Sequence, residues 1–160
     1  MNTHANTVAI IDDDFRVLES LVNLLSSFGF TARSYISAEK FLASGDIVES
    51  CCIITDVEMR KMSGLELLEH LKRNNSTIPV IIITGKPSVR AEMFYMEKGA
   101  AGFFRKPIDS DALLELLRSV CPSWTETGRS LLDCLTFGSS HEARCTAEFS
   151  KADRTNSQNS

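Results

Sequence analysis

Four apolar runs in this chain each end in residues that can do chemistry. VAIIDDD (8–14) delivers Asp12 and Asp13, CIITDVEM (52–59) delivers Asp56, VIIITGK (80–86) delivers Thr84, and FFRKP (103–107) delivers Lys106. If each run is a strand of one open α/β sheet, these residues share the C-terminal edge, where such sheets bind ligands. Three carboxylates crowded together repel one another unless a cation is present. Their hard oxygens suit Mg2+, which takes one or two carboxylates and keeps several waters. Asp56, ending a central run, can act as a nucleophile and form an aspartyl-phosphate. Lys106 can pair with phosphoryl oxygens as a point charge, and Thr84 can donate a hydrogen bond to the same group. The chemistry read here is phosphoryl transfer, which rests mostly on positioning and electrostatics.

That chemistry needs elements to carry it. Val8–Asp12 reads as a buried strand, and Phe15–Phe28 as a helix with Val17, Leu18, Leu21, Val22, Leu24, Leu25 and Phe28 at three- and four-residue spacing. Gly29 fits a helix C-cap. Phe30–Tyr35 is a more polar strand suited to an edge, and Ser37 caps a short helix through Leu42. Cys51–Thr55 is the third strand, with Asp56 following it. Ser63–Arg73 is a helix in which Ser63 and Glu66 match a capping box.

Val80–Ile83 is apolar without alternation, which implies burial on both faces, as in parallel sheets. Ser88–Lys98 is a helix stopping at Gly99, Gly102–Phe104 a short strand, and Asp109 caps a last helix over Ser110–Val120. Strands alternating with helices give an α/β doubly wound parallel sheet with right-handed crossovers.

Composition narrows the rest. The 160 residues hold one domain and a tail, and 43% are apolar, enough for a core. A net charge of −4 argues against nucleic-acid binding through bulk charge. No apolar run approaches the roughly 20 residues of a membrane span, and MNTHANT lacks the basic and apolar regions of a secretory signal. The five cysteines, Cys51, Cys52, Cys121, Cys134 and Cys145, form no C-x-x-C and suggest neither a disulfide framework nor a zinc site. Cys51 and Cys52 read as buried small hydrophobes, and a reducing cytoplasm fits. Asp14 reads as a charge at a helix N-terminus. His70 falls on the exposed side of its helix, and neither it nor His4 or His141 has a metal-ligand partner at useful spacing. Residues 121–160 form a short polar tail, largely disordered by composition, with Ser130–Phe137 patterned as a short amphipathic helix.

Taken in order, IIDDD, SAEKFL, TDVEM, MSGLELL, PVIIITG and GAAGFFRKPID resemble the receiver domain of two-component response regulators, closest to the FixJ type. The resemblance spans 7–120. It implies a flavodoxin-like (βα)5 fold with five parallel strands ordered 2-1-3-4-5. It also implies that Asp56 is the phosphoacceptor, with Mg2+ held by Asp12, Asp13, Asp56 and the backbone carbonyl of Glu58. Thr84 and Lys106 match the switch hydroxyl and lysine, Phe103 matches the aromatic switch position, and Lys106–Pro107 matches a cis peptide. Glu58 and Lys86 occupy positions that tune phosphoryl lifetime, and a pairing of the two across the site mouth would gate water.

The implied donors are a histidine kinase or a histidine phosphotransfer protein. The implied readout is a changed face within 88–120, docking an output protein or a second copy. Ser88–Lys98 carries Met93, Phe94, Tyr95 and Met96 in a row, so some face the core and at least one of Phe94 and Tyr95 faces solvent.

Arg60 stands where receivers commonly carry proline, which leaves the loop after Asp56 freer. Residues 121–160 lack the three apolar-periodic helices and basic recognition helix of a helix-turn-helix domain. The expectation is therefore a stand-alone receiver in the cytoplasm that signals by contact, without turnover catalysis, nucleic acid or membrane. The alternatives are a receiver-like scaffold that is never phosphorylated and a truncated FixJ-type regulator. A dehalogenase-type phosphatase would need a second acid two residues after its nucleophile in a D-x-D pattern, which Glu58 and Arg60 do not satisfy. A flavin module would have its phosphate repelled by the aspartates of 12–14.

Overall fold

The computed structural model describes residues 6–121. Its elements run β1 (Thr7–Ile11), α1 (Phe15–Ser27), β2 (Thr31–Tyr35), α2 (Ala38–Ser44), β3 (Cys52–Asp56), α3 (Gly64–Arg73), β4 (Val80–Thr84), α4 (Val89–Glu97), β5 (Gly102–Arg105) and α5 (Ser110–Val120). The five strands form one parallel sheet ordered β2-β1-β3-β4-β5. This is the doubly wound order expected, and strand 2 lies at an edge as its polarity implied.

The apolar runs of β1, β3 and β4 are buried throughout, and their side chains alternate between two cores. Val8, Ile10, Ile54, Ile81 and Ile83 pack with Leu18, Leu21 and Leu25 of α1 and Leu113, Leu114 and Leu117 of α5. Ala9, Ile11, Ile53, Val80 and Ile82 pack on the other face with Ala38, Phe41, Leu67, Leu68 and Leu71 of α2 and α3. Two covered faces explain why the strands read as continuous rather than alternating hydrophobicity.

Local chemistry sets the boundaries. Asp14 caps α1 by accepting from the Arg16 N–H, which matches its reading as an N-terminal charge. Phe28 takes the C-cap position assigned to Gly29, and Gly29 follows it at φ +83°, the left-handed turn that glycine adopts without strain. The Ser63–Glu66 capping box is present, Ser88 caps α4, and Asp109 caps α5 through the Asp111 and Ala112 N–H groups. The helix after Ser37 runs two residues past Leu42, ends at left-handed Gly45, and is followed by an unforeseen 3-10 turn over Asp46–Glu49.

Several readings need correction. β3 begins at Cys52 and includes Asp56, because the Asp56 backbone still pairs with Ile83 of β4. Cys51 precedes the strand and is only half-buried. His70 is half-buried rather than on the exposed side. In α4 the expected split holds, with Val89, Met93, Phe94 and Met96 exposed and Tyr95 packed against the core, although no residue of the helix is fully buried. The tail and its helix at 130–137, with His4 and His141, lie outside the described residues.

Candidate functional site

Asp12 follows β1 directly, Asp56 ends β3, Thr84 ends β4 and Lys106 follows β5. Because β1, β3, β4 and β5 are neighbours in that order, all four side chains meet at one edge. Backbone hydrogen bonds extend the ladder just far enough to fix them. The Asp12 N–H donates to the Tyr35 carbonyl at 3.1 Å, and the Lys106 N–H donates to the Thr84 carbonyl at 2.8 Å. Lys106–Pro107 is cis, as the resemblance implied.

At the centre, the Lys106 ammonium lies 2.7 Å from Asp12 Oδ2 and 2.9 Å from Asp56 Oδ1. Asp56 Oδ2 accepts from the Glu58 N–H at 2.9 Å, and Asp12 Oδ1 accepts from the Asp14 N–H at 2.8 Å. Asp12 and Asp56 are buried, while Asp13 is exposed beside them. Burial raises the Asp12 carboxyl above its ordinary range, against the opposing pull of Lys106 and the Asp14 N–H. For Lys106, burial works to lower the ammonium pKa, but the bonds to Asp12 and Asp56 outweigh it and the net direction is upward.

Asp12, Asp13 and Asp56 offer carboxylate oxygens that all lie within 4.8 Å of one another. This all-oxygen set carries three negative charges against the one ammonium of Lys106, two of the carboxylates being buried. Both the donor chemistry and the charge imbalance fit a hard divalent cation such as Mg2+.

The remaining expected residues surround this centre. The Thr84 hydroxyl is buried and accepts from the Lys86 N–H at 3.1 Å. Glu58 and Lys86 do pair, with Nζ to Oε2 at 3.2 Å, but at 47% and 81% side-chain exposure. Phe103, on β5, stacks on Tyr95 of α4 with ring centroids 5.8 Å apart and planes 15° from parallel.

Three contributors were not read from the sequence as parts of the site. Tyr95 appeared only as one aromatic among four, and its inward turn depends on where α4 lies over β5. Glu39 accepts from the Met62 N–H at 3.2 Å and so ties α2 to the loop after Asp56; SAEKFL shows the residue but not its reach across 23 positions. Gly64 approaches Asp56 so closely that a Cβ there would lie under 3.0 Å from the Asp56 carbonyl oxygen. The MSG motif pointed to that glycine without giving the reason.

The fold and this edge define a flavodoxin-like phosphoryl-accepting module. The response regulator receiver domain family matches residues 8–118, and the chain belongs to that family. It is 40% identical over 122 residues to the transcriptional regulatory protein FixJ of Azorhizobium caulinodans, covering 76% of this chain and 58% of that protein. It is 35% identical over 119 residues to the response regulator protein TodT of Pseudomonas putida, covering 74% and 52%. The chain thus spans about half the length of the curated relatives it matches.

Among solved structures it superposes on FixJ-N with a TM-score of 0.65 at 34% identity, covering 74% of this chain and 95% of that one. It superposes on the response regulator StyR with a TM-score of 0.64 at 34% identity, covering 81% and 67%. Receiver domains bind Mg2+ at an acidic cluster of the kind formed here by Asp12, Asp13 and Asp56. They are phosphoryl-accepting signalling domains of two-component systems. No helix among the described residues is long and apolar enough to cross a membrane.

Proposed function

We propose that residues 7–120 act as a cytoplasmic response-regulator receiver phosphorylated on Asp56, with 121–160 as an appended tail. The observation that carries this reading is the Lys106 ammonium held between Asp12 and Asp56 at a carboxylate-rich sheet edge. The donor is a histidine kinase or a histidine phosphotransfer protein. A carboxylate oxygen of Asp56 attacks the phosphorus of the ring-protonated phosphohistidine, the P–N bond breaks, and the bonding pair stays on the ring nitrogen so that neutral imidazole leaves, still carrying the ring proton. The product is an aspartyl-phosphate, later cleaved by water to aspartate and inorganic phosphate.

Asp12, Asp13, Asp56 and the Glu58 carbonyl would hold Mg2+, which when bound would supply positive charge that offsets the repulsion between the carboxylates and an incoming phosphoryl group. Lys106 neutralises charge on the transferred group, and Thr84 rotates its hydroxyl from the Lys86 N–H to a phosphoryl oxygen. Phosphorylation adds roughly −1.5 to −2 charge at the edge. The movement of Thr84 opens space beside β5 for Phe103, and the Tyr95 stack couples that ring to α4. The exposed Met93, Phe94 and Met96 of α4 then present the altered face to an output protein or a second copy. Glu58 and Lys86 tune how long the phosphoryl group survives.

The deciding experiment is intact mass after incubation with Mg2+ and a small acyl-phosphate, comparing wild type with Asp56→Asn. A single phosphoryl gain in wild type, lost in the variant and with chelator, is expected. No gain from acyl-phosphate or from phosphorylated histidine donors would overturn the reading.

A further inference from the structure

At the opposite edge of the sheet, Cys51 Sγ and Cys121 Sγ lie 2.6 Å apart although separated by 70 residues. That spacing is roughly half an ångström beyond a covalent S–S bond of about 2.05 Å. Neither thiol sits on a wandering loop. The Cys51 N–H donates to the Thr7 carbonyl at 2.8 Å as the chain enters β3, and Cys121 closes α5 with its N–H on the Leu117 carbonyl at 2.9 Å. Cys121 is buried in the core between the sheet and helices α1 and α5, and half-buried Cys51 packs against that core. We propose that Cys51 and Cys121 form a redox-responsive pair whose intramolecular disulfide pins the C-terminal end of α5 to the start of β3.

The oxidant is a low-molecular-weight disulfide of the glutathione class. The half-buried Cys51 loses its proton and attacks one sulfur of the oxidant, whose S–S bond breaks to release one glutathione thiol. Cys121 then loses its proton, attacks the Cys51 sulfur of the mixed disulfide, and releases the second glutathione. Two electrons and two protons pass from the protein to two glutathione thiols.

The fold has already brought the two sulfurs together, so ring closure from the mixed disulfide is effectively unimolecular. Contact with Cys121 and then burial push the Cys51 thiol up. The bond with Cys51 works to lower the Cys121 thiol, but Cys52 and burial together outweigh it and push Cys121 up to about 12. Little thiolate is present at neutral pH, so exchange is slow. The closed loop encloses Asp56, Thr84 and Lys106, and the cross-link acts where α5 ends.

The test equilibrates the full chain in glutathione buffers from reducing to oxidising, quenches with acid, alkylates under denaturing conditions and maps peptides by mass. A Cys51–Cys121 linked peptide is expected, with Cys52, Cys134 and Cys145 alkylated. It should appear at a glutathione disulfide level at least about 10-fold lower than Cys51 needs to take up glutathione in Cys121→Ser, reflecting proximity. Slowed hydrogen exchange over Leu117–Cys121 should accompany it. Full alkylation of both cysteines in the most oxidising buffer, or a link through Cys52 or the tail cysteines instead, would overturn the proposal. So would mixed-disulfide formation in wild type with no internal link.

Discussion

Lys106 Nζ lies 2.9 Å from Asp56 Oδ1 and, on its other side, 2.7 Å from Asp12 Oδ2. One ammonium thus answers two buried carboxylates. Lys106→Ala leaves both without their counter-charge, and breaking a buried pair costs about 3–5 kcal/mol. Because the Lys106 side chain is 25% exposed, a loss of about 1–3 kcal/mol is expected here, with water covering part of the deficit. Mg2+ should restore more stability to the variant than to wild type, since a cation then supplies the missing charge. Thermal unfolding with and without Mg2+ checks this, and equal Mg2+ shifts in the two proteins would refute the account.

Asp13 is the exposed member of the acidic cluster, so its substitution perturbs folding least. Asp13→Asn should weaken Mg2+ binding about 10-fold, or ~1.4 kcal/mol, while leaving the melting temperature in chelator unchanged or raised. Isothermal titration with Mg2+ measures the first quantity directly. An unchanged affinity would place the cation elsewhere.

Gly64 opens α3 against the backbone of Asp56. Gly64→Ala drives a Cβ into the Asp56 carbonyl oxygen, a backbone atom that cannot swing aside as a side chain would. Overpacking of this kind costs about 1–3 kcal/mol, and the same shift moves the nucleophile. The expected outcome is a lowered midpoint in chemical denaturation together with slower phosphorylation by acyl-phosphate. Slower phosphorylation at unchanged stability would mean that the glycine serves the loop alone.

The strands, the caps and the placement of Asp12, Asp56, Thr84 and Lys106 at strand ends were legible in the sequence for one reason, whereas the strand order came from the resemblance to receiver domains. Each depends on local signals: a continuous apolar run, a Ser or Asp before a helix, a polar residue at a strand end. What was not legible depends on distance. Tyr95 meets Phe103 only because α4 crosses β5, Glu39 meets Met62 only because α2 and the β3–α3 loop share a face, and Cys51 meets Cys121 only when the first core closes. The split of the α4 aromatic run between core and solvent was legible, with Tyr95 packed against the core and Phe94 exposed, but not which residue would turn which way. Nine residues of low amphipathicity lie over the sheet, so only Ala91 and Tyr95 are half-buried and the other side chains of α4 stay in solvent.

Glu58 and Lys86 reach across the mouth of the site from the ends of β3 and β4. An ion pair this exposed contributes about 0–1 kcal/mol to stability, so neither Glu58→Ala nor Lys86→Ala should move the melting temperature appreciably. Its proposed leverage lies in access, with the closed pair standing in the way of water approaching Asp56. Each single substitution should then speed dephosphorylation by about 2–5-fold, equivalent to ~0.4–1 kcal/mol in the barrier. The double variant should do no more than the faster single, because one interaction cannot be broken twice. Phosphate release from the acyl-phosphate-loaded protein, followed over time in all four proteins, distinguishes the cases. Multiplying single effects would mean two independent charges, and an unchanged rate in the double variant would remove the gate altogether.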